Sequence, residues 1–301
     1  MRILSSPLIQ YLKDPVPGSE VKENIEKYFE DTEMHIRNVH TEKYLSRLAS
    51  ACEVSMRWED ANMDLSPETL VSVKASVALG LTAAFRPYGF AITAPAGHHA
   101  YPDRAGALCL VNTVMVVAKA LRGLGKRVAI IDIDGHHGDG TEAACRAEEG
   151  IFFSSIYQKD AFPFLPHLRH GYDSGTVVRM PILAGSGDVV FLAALEGILA
   201  RVREFRPDHI LVSAGFDGYI EDKMLDLRYS MRGYHEAGRR IASLGISVSA
   251  VLEGGYTRFV PQCIRAFSDG VSGIPWSSED GFTDSPSECT RDCERMLASI
   301  A

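Results

Sequence analysis

The chain has 301 residues, of which 46% are hydrophobic and 23% charged, an ordinary globular composition with enough length for a large core. With 31 basic and 39 acidic residues the net charge is −8, which argues against nonspecific nucleic-acid binding and is compatible with a cationic substrate. No window reaches the roughly 18 apolar residues of a membrane span, and the first residues lack the apolar core of a signal peptide. Because no linker or internal repeat divides the chain, we expect one domain over residues 1–301, with a polar tail from about 277 to 301 that either packs as a final helix or stays mobile.

The cysteine pattern indicates neither a zinc ribbon nor a disulfide framework. The six cysteines show no CxxC spacing, and Cys289 and Cys293 in the polar tail are assigned no role. We therefore expect a protein of the reducing cytoplasm. No nuclear-localisation run is present, and the oligomeric state is not indicated.

Helices and strands are predicted to alternate along the chain. In chain order the pattern predicts a helix at 70–85 after Ser66-Pro67, a strand at 90–93, a helix at 113–124, strands at 127–133 and 151–156, a helix at 189–205 capped by Asp188, a strand at 209–213, a helix at 234–244 and a strand at 247–252. This alternation is typical of an α/β fold, with a mostly parallel sheet flanked by helices on both faces.

Four polar clusters follow four of these strands. They read TAPAGHH, DIDGHHGDG, SAGFDGY and EGGY, and each lies at the carboxyl end of its strand. In open α/β sheets ligands bind at that edge. The sequence therefore predicts that the four clusters form a single site.

The DIDGHHGDG cluster has the composition of a metal site. Side chains alternate along an extended chain, so Asp132, Asp134 and His136 can project to the same side. Asp134 and His136 are then close enough to share a cation, and Asp217 is the best candidate for a third ligand. Two carboxylates and one imidazole suit catalytic Zn²⁺, and Fe²⁺ can use the same set. Such a cation would also compensate charges that are costly to bury unpaired.

The remaining polar residues suit proton transfer beside that metal. His98 and His99 are candidate proton carriers, and Asp132 and Asp139 are free to orient them. Tyr256, after the paired glycines Gly254 and Gly255, is a candidate hydrogen-bond donor to an oxyanion. Taken singly, the histidine pair also fits a surface loop and the tyrosine a packed turn. Their density across the four strand ends favours catalysis.

Together these motifs resemble the zinc-dependent histone deacetylase and acetylpolyamine amidohydrolase superfamily. That family reads RPPGHHA, DxDxHHGDGT, SAGFDxH and LEGGY in this order, where this chain has APAGHHAYPDRAGALCLVN, DIDGHHGDGTE, SAGFDGY and LEGGY. The segment VHTEKYLSRL at 39–48 is similar to the family's VHxxxYL. The similarity runs from about Val39 to Tyr256, and four motifs in order are highly specific.

The resemblance implies a single-domain arginase/deacetylase-like fold with a metal at the strand carboxyl ends. By position, the zinc ligands would be Asp134, His136 and Asp217; the catalytic group would be His98, His99, Asp132, Asp139 and Tyr256; and the substrate tunnel would be lined by Ala107, Leu108, Phe162, Met224, Gly254 and Gly255. His99 would act as general base and acid. A structural K⁺ or Na⁺ would lie near Asp132, Asp134, His136 and Ser155, and His137 would be structural. The implied reaction releases acetate and a free amine from acetylated lysine or a small acylated amine.

Several positions depart from the family pattern and bear on the substrate. The family's Arg-Pro-Pro is Ala94-Pro95-Ala96 here, and its tunnel Gly-Phe-Cys is Ala107-Leu108-Cys109. Gly135 replaces a larger residue, which we expect to leave room or flexibility beside the metal. Met224 stands where a polyamine-selective subgroup has a glutamate. The acidic residue of the rim is ambiguous among Asp60, Asn62 and Asp64, and the short chain suggests an open pocket mouth.

Several functions remain open from the sequence. The leading hypothesis is a zinc amidohydrolase acting on acylated lysine or small acylated amines, with acetylpolyamine deacetylation as an alternative. An arginase-like urea hydrolase would need a second run of metal ligands, which FDGYIEDKM does not provide. A catalytically silent acyl-lysine binding protein is the third hypothesis, although every residue needed for chemistry is present.

Overall fold

The structure is a computed structural model that describes residues 1–6, 16, 19–23, 25–146, 148–278 and 281–300. The strands are β1 (Arg2–Ser5), β2 (Glu20–Val21), β3 (Arg57–Trp58), β4 (Met63–Asp64), β5 (Gly89–Ala91), β6 (Val128–Asp132), β7 (Ile151–Gln158), β8 (Tyr172–Asp173), β9 (Val177–Ile182), β10 (His209–Ala214) and β11 (Ser247–Leu252). The helices are α1 (Phe29–Arg37), α2 (Glu42–Glu53), α3 (Pro67–Ala84), α4 (Thr113–Gly123), α5 (Asp139–Cys145), α6 (Asp188–Phe205), α7 (Met231–Ala242), α8 (Val260–Val271) and α9 (Ser287–Ile300). Among the described helices none is long and apolar enough to cross a bilayer.

One mixed sheet runs through the described part of the chain in the order β2-β1-β5-β11-β10-β6-β7-β9-β8. Its pairings are parallel except that of β8 with β9. On β6, Ala129 and Ile131 pack into a core with α6–α9, whereas Val128 and Ile130 pack into a second core with α3 and α4. Because helices cover both faces of the sheet, successive side chains of β6 are all buried, and the strand shows no alternation of apolar and polar residues. The predicted α/β class is confirmed.

The predicted elements are present, β11 with its predicted bounds and the others with shifted ends, and several elements were missed. Helix α3 begins at Pro67, three residues before the predicted start, and β7 continues to Gln158. Strand β9 and helices α5 and α8 were not predicted. Helix α5 is seven residues long, too short to show a helical period.

The prediction that Asp188 caps α6 is wrong. Gly187 is the N-cap, and Asp188 is the first residue of the helix, fully buried. Its carboxylate accepts hydrogen bonds from the Ser230 backbone N–H (2.9 Å) and hydroxyl (2.6 Å) and from the Thr283 N–H (2.8 Å). The carboxylate therefore ties α6 to the start of α7 and to the segment that leads into α9.

Of the two alternatives for the tail, the structure shows the packed helix for residues 287–300. Cys289, Cys293 and Met296 of α9 are buried in the main core. The cysteines that were assigned no role are thus core residues, and all six cysteines are free and buried.

The loop that carries His98 and His99 is supported from behind by His40 and Asn112. His40 is buried; its Nδ1–H donates to the Tyr101 carbonyl at 3.0 Å, and its Nε2 accepts from the Asn112 N–H at 3.0 Å. The Asn112 side chain donates to the Ala100 carbonyl at 3.1 Å. Burial lowers the pKa of His40 to about 4, so the neutral ring that fits these two partners is the form present at neutral pH.

We expect Asp188→Ala to lower the free energy of unfolding by about 3 kcal/mol, because it leaves buried donors without an acceptor. Urea denaturation measures the change. The matched control is Glu196→Ala on the same helix, whose exposed ion pair with Arg203 should contribute less than about 1 kcal/mol. Equal effects of the two substitutions would contradict the assigned role of Asp188.

His40 should also make stability depend on pH. A histidine whose pKa is lowered on folding stabilises the protein fully above its unfolded value of 6.5, and this contribution falls as the pH drops toward about 4. The loss is roughly 3 kcal/mol over that range. Urea denaturation at a series of pH values gives the free energy of unfolding as a function of pH. This free energy should fall less between pH 6.5 and pH 4 in His40→Gln than in wild type. His170→Gln, which changes an exposed histidine, should behave like wild type. An unchanged slope in His40→Gln would exclude this origin.

Candidate active site

The four polar clusters meet at one edge of the sheet, as the sequence predicts. Strands β5, β11, β10 and β6 are neighbours, and their carboxyl ends border a cavity of about 620 Å³. The catalytic and metal candidates that line it are His98, His99, Asp134, His136, Asp139, Asp217 and Tyr256, and the tunnel candidate Gly254 lines it as well. Of the other candidates, Asp132 is fully buried and contacts His98, and Gly255 precedes Tyr256.

The three predicted metal ligands converge. One ligand atom from each of Asp134, His136 and Asp217 lies within 4.8 Å of the other two. The His136 Nδ1 is 2.7 Å from Asp217 Oδ2 and 3.3 Å from Asp134 Oδ1. Asp134 comes two residues after β6 and Asp217 three residues after the neighbouring β10, so their closeness follows from the pairing of these strands.

Backbone N–H groups hold the two carboxylates in place. Gly254 N–H donates to Asp134 Oδ2 at 2.8 Å, and Gly135 N–H donates to Asp217 Oδ1 at 2.7 Å. The second oxygen of each carboxylate is the one that faces His136. A Cβ on Gly254 would lie 2.7 Å from Asp134 Oδ2, so only glycine fits this close approach.

The expectation that Gly135 leaves room beside the ligands is wrong. A Cβ at this position would lie 2.2 Å from Leu225 Cδ1 and 2.9 Å from Asp217 Oδ1. Leu225 already fills the space that a larger residue would need. The small residue here allows Leu225 and Asp217 to approach the backbone.

The charge of this cluster fits a divalent cation. Asp134 and Asp217 are at most 1% exposed, and no ion pair among the described residues joins either one to a lysine or arginine. Burial and the charge of Asp134 raise the pKa of Asp217 to about 6. Burial opposes protonation of His136, yet Asp217 and Asp134 outweigh it and raise its pKa to about 10. The proton on His136 supplies positive charge that a bound dication can supply instead.

Two histidine–aspartate pairs lie beside these ligands. His98 Nδ1 is 3.0 Å from Asp132 Oδ2, and His99 Nδ1 is 2.7 Å from Asp139 Oδ1. The rings of the two histidines are 4.1 Å apart, and His98 Nε2 is 3.8 Å from Asp134 Oδ1. In both pairs the carboxylate lies at Nδ1, which leaves Nε2 as the nitrogen available for proton transfer.

The two histidines differ in protonation. Burial opposes protonation of His98, but the carboxylates of Asp134 and Asp132 outweigh it and raise the pKa well above the usual histidine value. Burial and the charge of His98 lower the pKa of His99 to about 4, although Asp139 opposes this shift. The shifts therefore favour the protonated form of His98 and the neutral form of His99.

Two residues that support this arrangement were not assigned roles from the sequence. Glu253 is buried, and its carboxylate accepts hydrogen bonds from the N–H groups of Gly97 (2.7 Å) and His98 (3.1 Å). The Tyr101 hydroxyl donates to Asp139 Oδ2 at 2.8 Å, so the other oxygen of Asp139 faces His99. A charged residue at the end of a buried strand was a signal for Glu253, but nothing in the sequence places Tyr101 against Asp139.

Tyr256 borders the cavity from the loop after β11. Its side chain is about half exposed, and its backbone N–H donates to the buried carboxylate of Asp222 at 2.7 Å. Asp222 lies outside the predicted site residues. By holding the backbone at Tyr256, Asp222 positions this residue at the border of the cavity.

The predicted tunnel residues Ala107, Leu108, Phe162 and Met224 all line the cavity. The Phe162 ring stands edge-on to His99 with centroids 4.9 Å apart. At the rim, Asp60 and Asn62 line the cavity, whereas Asp64 lies 3.4 Å from Arg57. This leaves two of the three rim candidates at the mouth.

Ser155 and His137 lie behind the site. Ser155 on β7 is in register with Asp132 on β6, and its buried hydroxyl has no hydrogen-bond partner among the described residues. His137 is buried, and its Nε2 is 2.8 Å from Glu142 Oε2. The orphaned hydroxyl of Ser155 is compatible with the expected monovalent cation.

The sequence is similar to several known deacetylases. It is 35% identical over 207 residues to histone deacetylase 14, chloroplastic, of Arabidopsis thaliana, covering 63% of this chain and 49% of that protein. It is 34% identical over 193 residues to an acetylpolyamine amidohydrolase of Burkholderia pseudomallei, covering 60% and 56%. A probable deacetylase of Methanothermobacter thermautotrophicus is 30% identical over 266 residues, covering 83% and 80%. The chain spans about half the length of the first two of these relatives.

The fold is similar to that of two solved structures. The acetylpolyamine aminohydrolase from Burkholderia pseudomallei superposes with a TM-score of 0.75 at 23% identity, covering 90% of this chain and 99% of that one. The HDA15 HD domain gives a TM-score of 0.78 at 22% identity, covering 89% and 79%. Residues 8–270 match the histone deacetylase domain, and the chain therefore belongs to the histone deacetylase family.

Proposed function

We propose that the protein is a metal-dependent deacetylase that hydrolyses the amide of acetylated lysine side chains or of small acylated amines. The observation that carries the proposal is one cavity in which Asp134, His136 and Asp217 converge beside two histidine–aspartate pairs. Membership of the deacetylase family supports it. The relatives named acetylpolyamine amidohydrolase keep acetylpolyamines among the candidate substrates.

The proposed resident ion is Zn²⁺, with Fe²⁺ as the alternative, held by Asp134, His136 and Asp217. When bound it would polarise the acyl carbonyl and lower the pKa of a water molecule. A second, structural K⁺ or Na⁺ is proposed near Asp132, Asp134, His136 and Ser155, which the unpartnered Ser155 hydroxyl supports.

The protein's own groups would move the proton and stabilise charge. Neutral His99 accepts a proton from the attacking water at Nε2, while Asp139 stabilises the imidazolium through Nδ1. Charged His98 and the Tyr256 hydroxyl stabilise the negative charge that develops on the carbonyl oxygen. His99 then returns its proton to the leaving nitrogen. The C–N bond breaks, and the products are acetate and a free amine.

The competing functions have less support. Besides the three converging ligands, the described residues hold one further group of potential ligands in His98, Cys109 and Glu253. Both oxygens of Glu253 already accept hydrogen bonds, one from the Gly97 and His98 N–H groups and the other from the Ser213 hydroxyl. This group therefore does not favour the two-metal arginase hypothesis. A silent acyl-lysine binding protein remains an outcome of the test below. The cytoplasmic location inferred from the cysteines stays a prediction.

The proposal predicts acetate release that depends on the metal. Protein loaded with Zn²⁺ should hydrolyse at least one of four substrates: an acetyl-lysine peptide, free acetyl-lysine, an acetylpolyamine or a small N-acetyl amine. Chelation should abolish release, and added zinc should restore it. Asp217→Asn should lower zinc stoichiometry as measured by elemental analysis. Equal release from chelated protein would contradict metal dependence, and bound zinc without any release would favour the silent binding protein.

Tyr256→Phe should lower kcat/KM by about 100-fold to 1000-fold while the protein stays folded and retains zinc, since removing one oxyanion donor typically has this effect. Acetate release measured with the best substrate of the panel tests this. The matched control is Tyr172→Phe, which removes a partly exposed phenol on β8. A loss of less than fivefold in Tyr256→Phe would exclude the proposed role.

A further inference from the structure

Four large apolar side chains are partly exposed beside the cavity mouth. They are Leu108, Phe164, Leu165 and Met224, with exposed fractions between 36% and 72%, and we call them the apolar shelf. Leu108, Leu165 and Met224 line the cavity itself. The segments that carry these side chains are residues 105–109, 162–165 and 224. All residues of these segments that line the cavity are uncharged. A grouped apolar surface of this kind marks a binding surface more often than isolated exposed leucines do.

Two residues of the shelf have a strained backbone. Leu108 and Phe164 both have φ of +58°, a conformation that bulky L-residues rarely adopt. Leu108 is held there by its N–H, which donates to the Ala61 carbonyl at 2.8 Å, and Phe164 by its N–H, which donates to the Ala161 carbonyl at 3.0 Å. Phe164 is 72% exposed, so burial of its side chain does not compensate the energy of this strained backbone conformation. Strain that packing does not repay points to function.

Ring contacts connect the shelf to the catalytic base. Phe164 packs edge-on against Phe162 with centroids 6.1 Å apart, and Phe162 packs edge-on against His99 at 4.9 Å. The shelf is therefore continuous with the wall beside the reacting amide. A group bound on the shelf belongs to the part of the substrate that extends outward from that amide.

We infer that the apolar shelf binds an aryl or branched alkyl group on the amine portion of the substrate. This inference rests on the proposed function and narrows its substrate class to small acylated amines with an apolar far end. The shelf itself offers no carboxylate to a distant ammonium group. The acidic side chains at the mouth, Glu59 and Asp60, belong to the neighbouring segment between β3 and β4, which contacts the shelf through the Ala61 carbonyl and the Leu108 N–H.

The test compares two series of amides with the same alkyl spacer of three to six methylenes. One series ends in a phenyl ring (N-acetyl-ω-phenylalkylamines) and the other in an ammonium group (mono-N-acetyl diamines). For the zinc-loaded wild type we expect kcat/KM to be about tenfold higher for the phenyl member at the best spacer length, the effect of burying part of one ring. In Phe164→Gly this ratio should fall to near one.

The matched control is Tyr88→Gly. Tyr88 is also a partly exposed aromatic residue with positive φ (+55°), but it precedes β5 at its amino end, on the edge of the sheet opposite the site. Its replacement should leave the substrate ratio at the wild-type value. Because glycine relieves the strained conformation, Phe164→Gly should melt no lower than wild type, which separates lost selectivity from unfolding.

The outcomes separate the two proposals. Two results would contradict the proposed role of the apolar shelf but not the proposed deacetylase function. One is turnover of both series with equal or higher kcat/KM for the ammonium members. The other is a phenyl-to-ammonium ratio that Phe164→Gly does not change. Turnover of neither series, nor of the acetyl-lysine peptide, overturns the proposed function. In that case the affinities of the same amides, measured by calorimetry, test the role of the shelf. Tighter binding of the phenyl members in wild type, lost in Phe164→Gly, would support this role. Equal affinities for the two series would contradict it.

Discussion

The site depends on how buried negative charge is compensated at the carboxyl edge of the sheet. Asp132, Asp134, Asp217 and Glu253 are almost fully buried there, and unpaired buried carboxylates would cost several kcal/mol each. Backbone N–H groups, two histidine rings and a divalent cation are the groups that fit these carboxylates. The glycines at 135 and 254 let the backbone donors come close enough.

The same charge distribution shifts the pKa values of two adjacent histidines in opposite directions. His98 lies between Asp132 and Asp134, which favour its charged form, whereas His99 is paired with Asp139 and packs against the ring of Phe162. Burial next to a charged neighbour keeps His99 neutral, which is the state that a general base requires. Two adjacent, buried histidines thus differ in pKa because their surroundings differ in charge.

Support for this edge comes from distant parts of the chain. His40 and Asn112 hold the loop of the tandem histidines from behind, and Asp188 joins α6, α7 and the segment before α9 on the face of the main core. His40, Asn112 and Asp188 are buried polar residues with hydrogen-bond partners. Satisfied polar networks of this kind make the surrounding structure rigid. Leu108 and Phe164, by contrast, have a strained backbone with positive φ.

The fold class and most of the candidate site residues follow from the motifs and their order in the chain. Apolar strands ending in DIDGHHGDG, SAGFDGY and EGGY predict a parallel sheet whose polar residues share one edge, because parallel strands end on the same side. Only the tertiary structure placed Tyr101 against Asp139, put Leu225 in the space beside Gly135, and buried Asp188 and the cysteines of α9. These contacts join segments far apart in the chain, and a local pattern of residue types carries no information about which distant side chain will occupy a given space. The protonation states of His98 and His99 were likewise decided by packing, since burial and the positions of the surrounding charges set their pKa values.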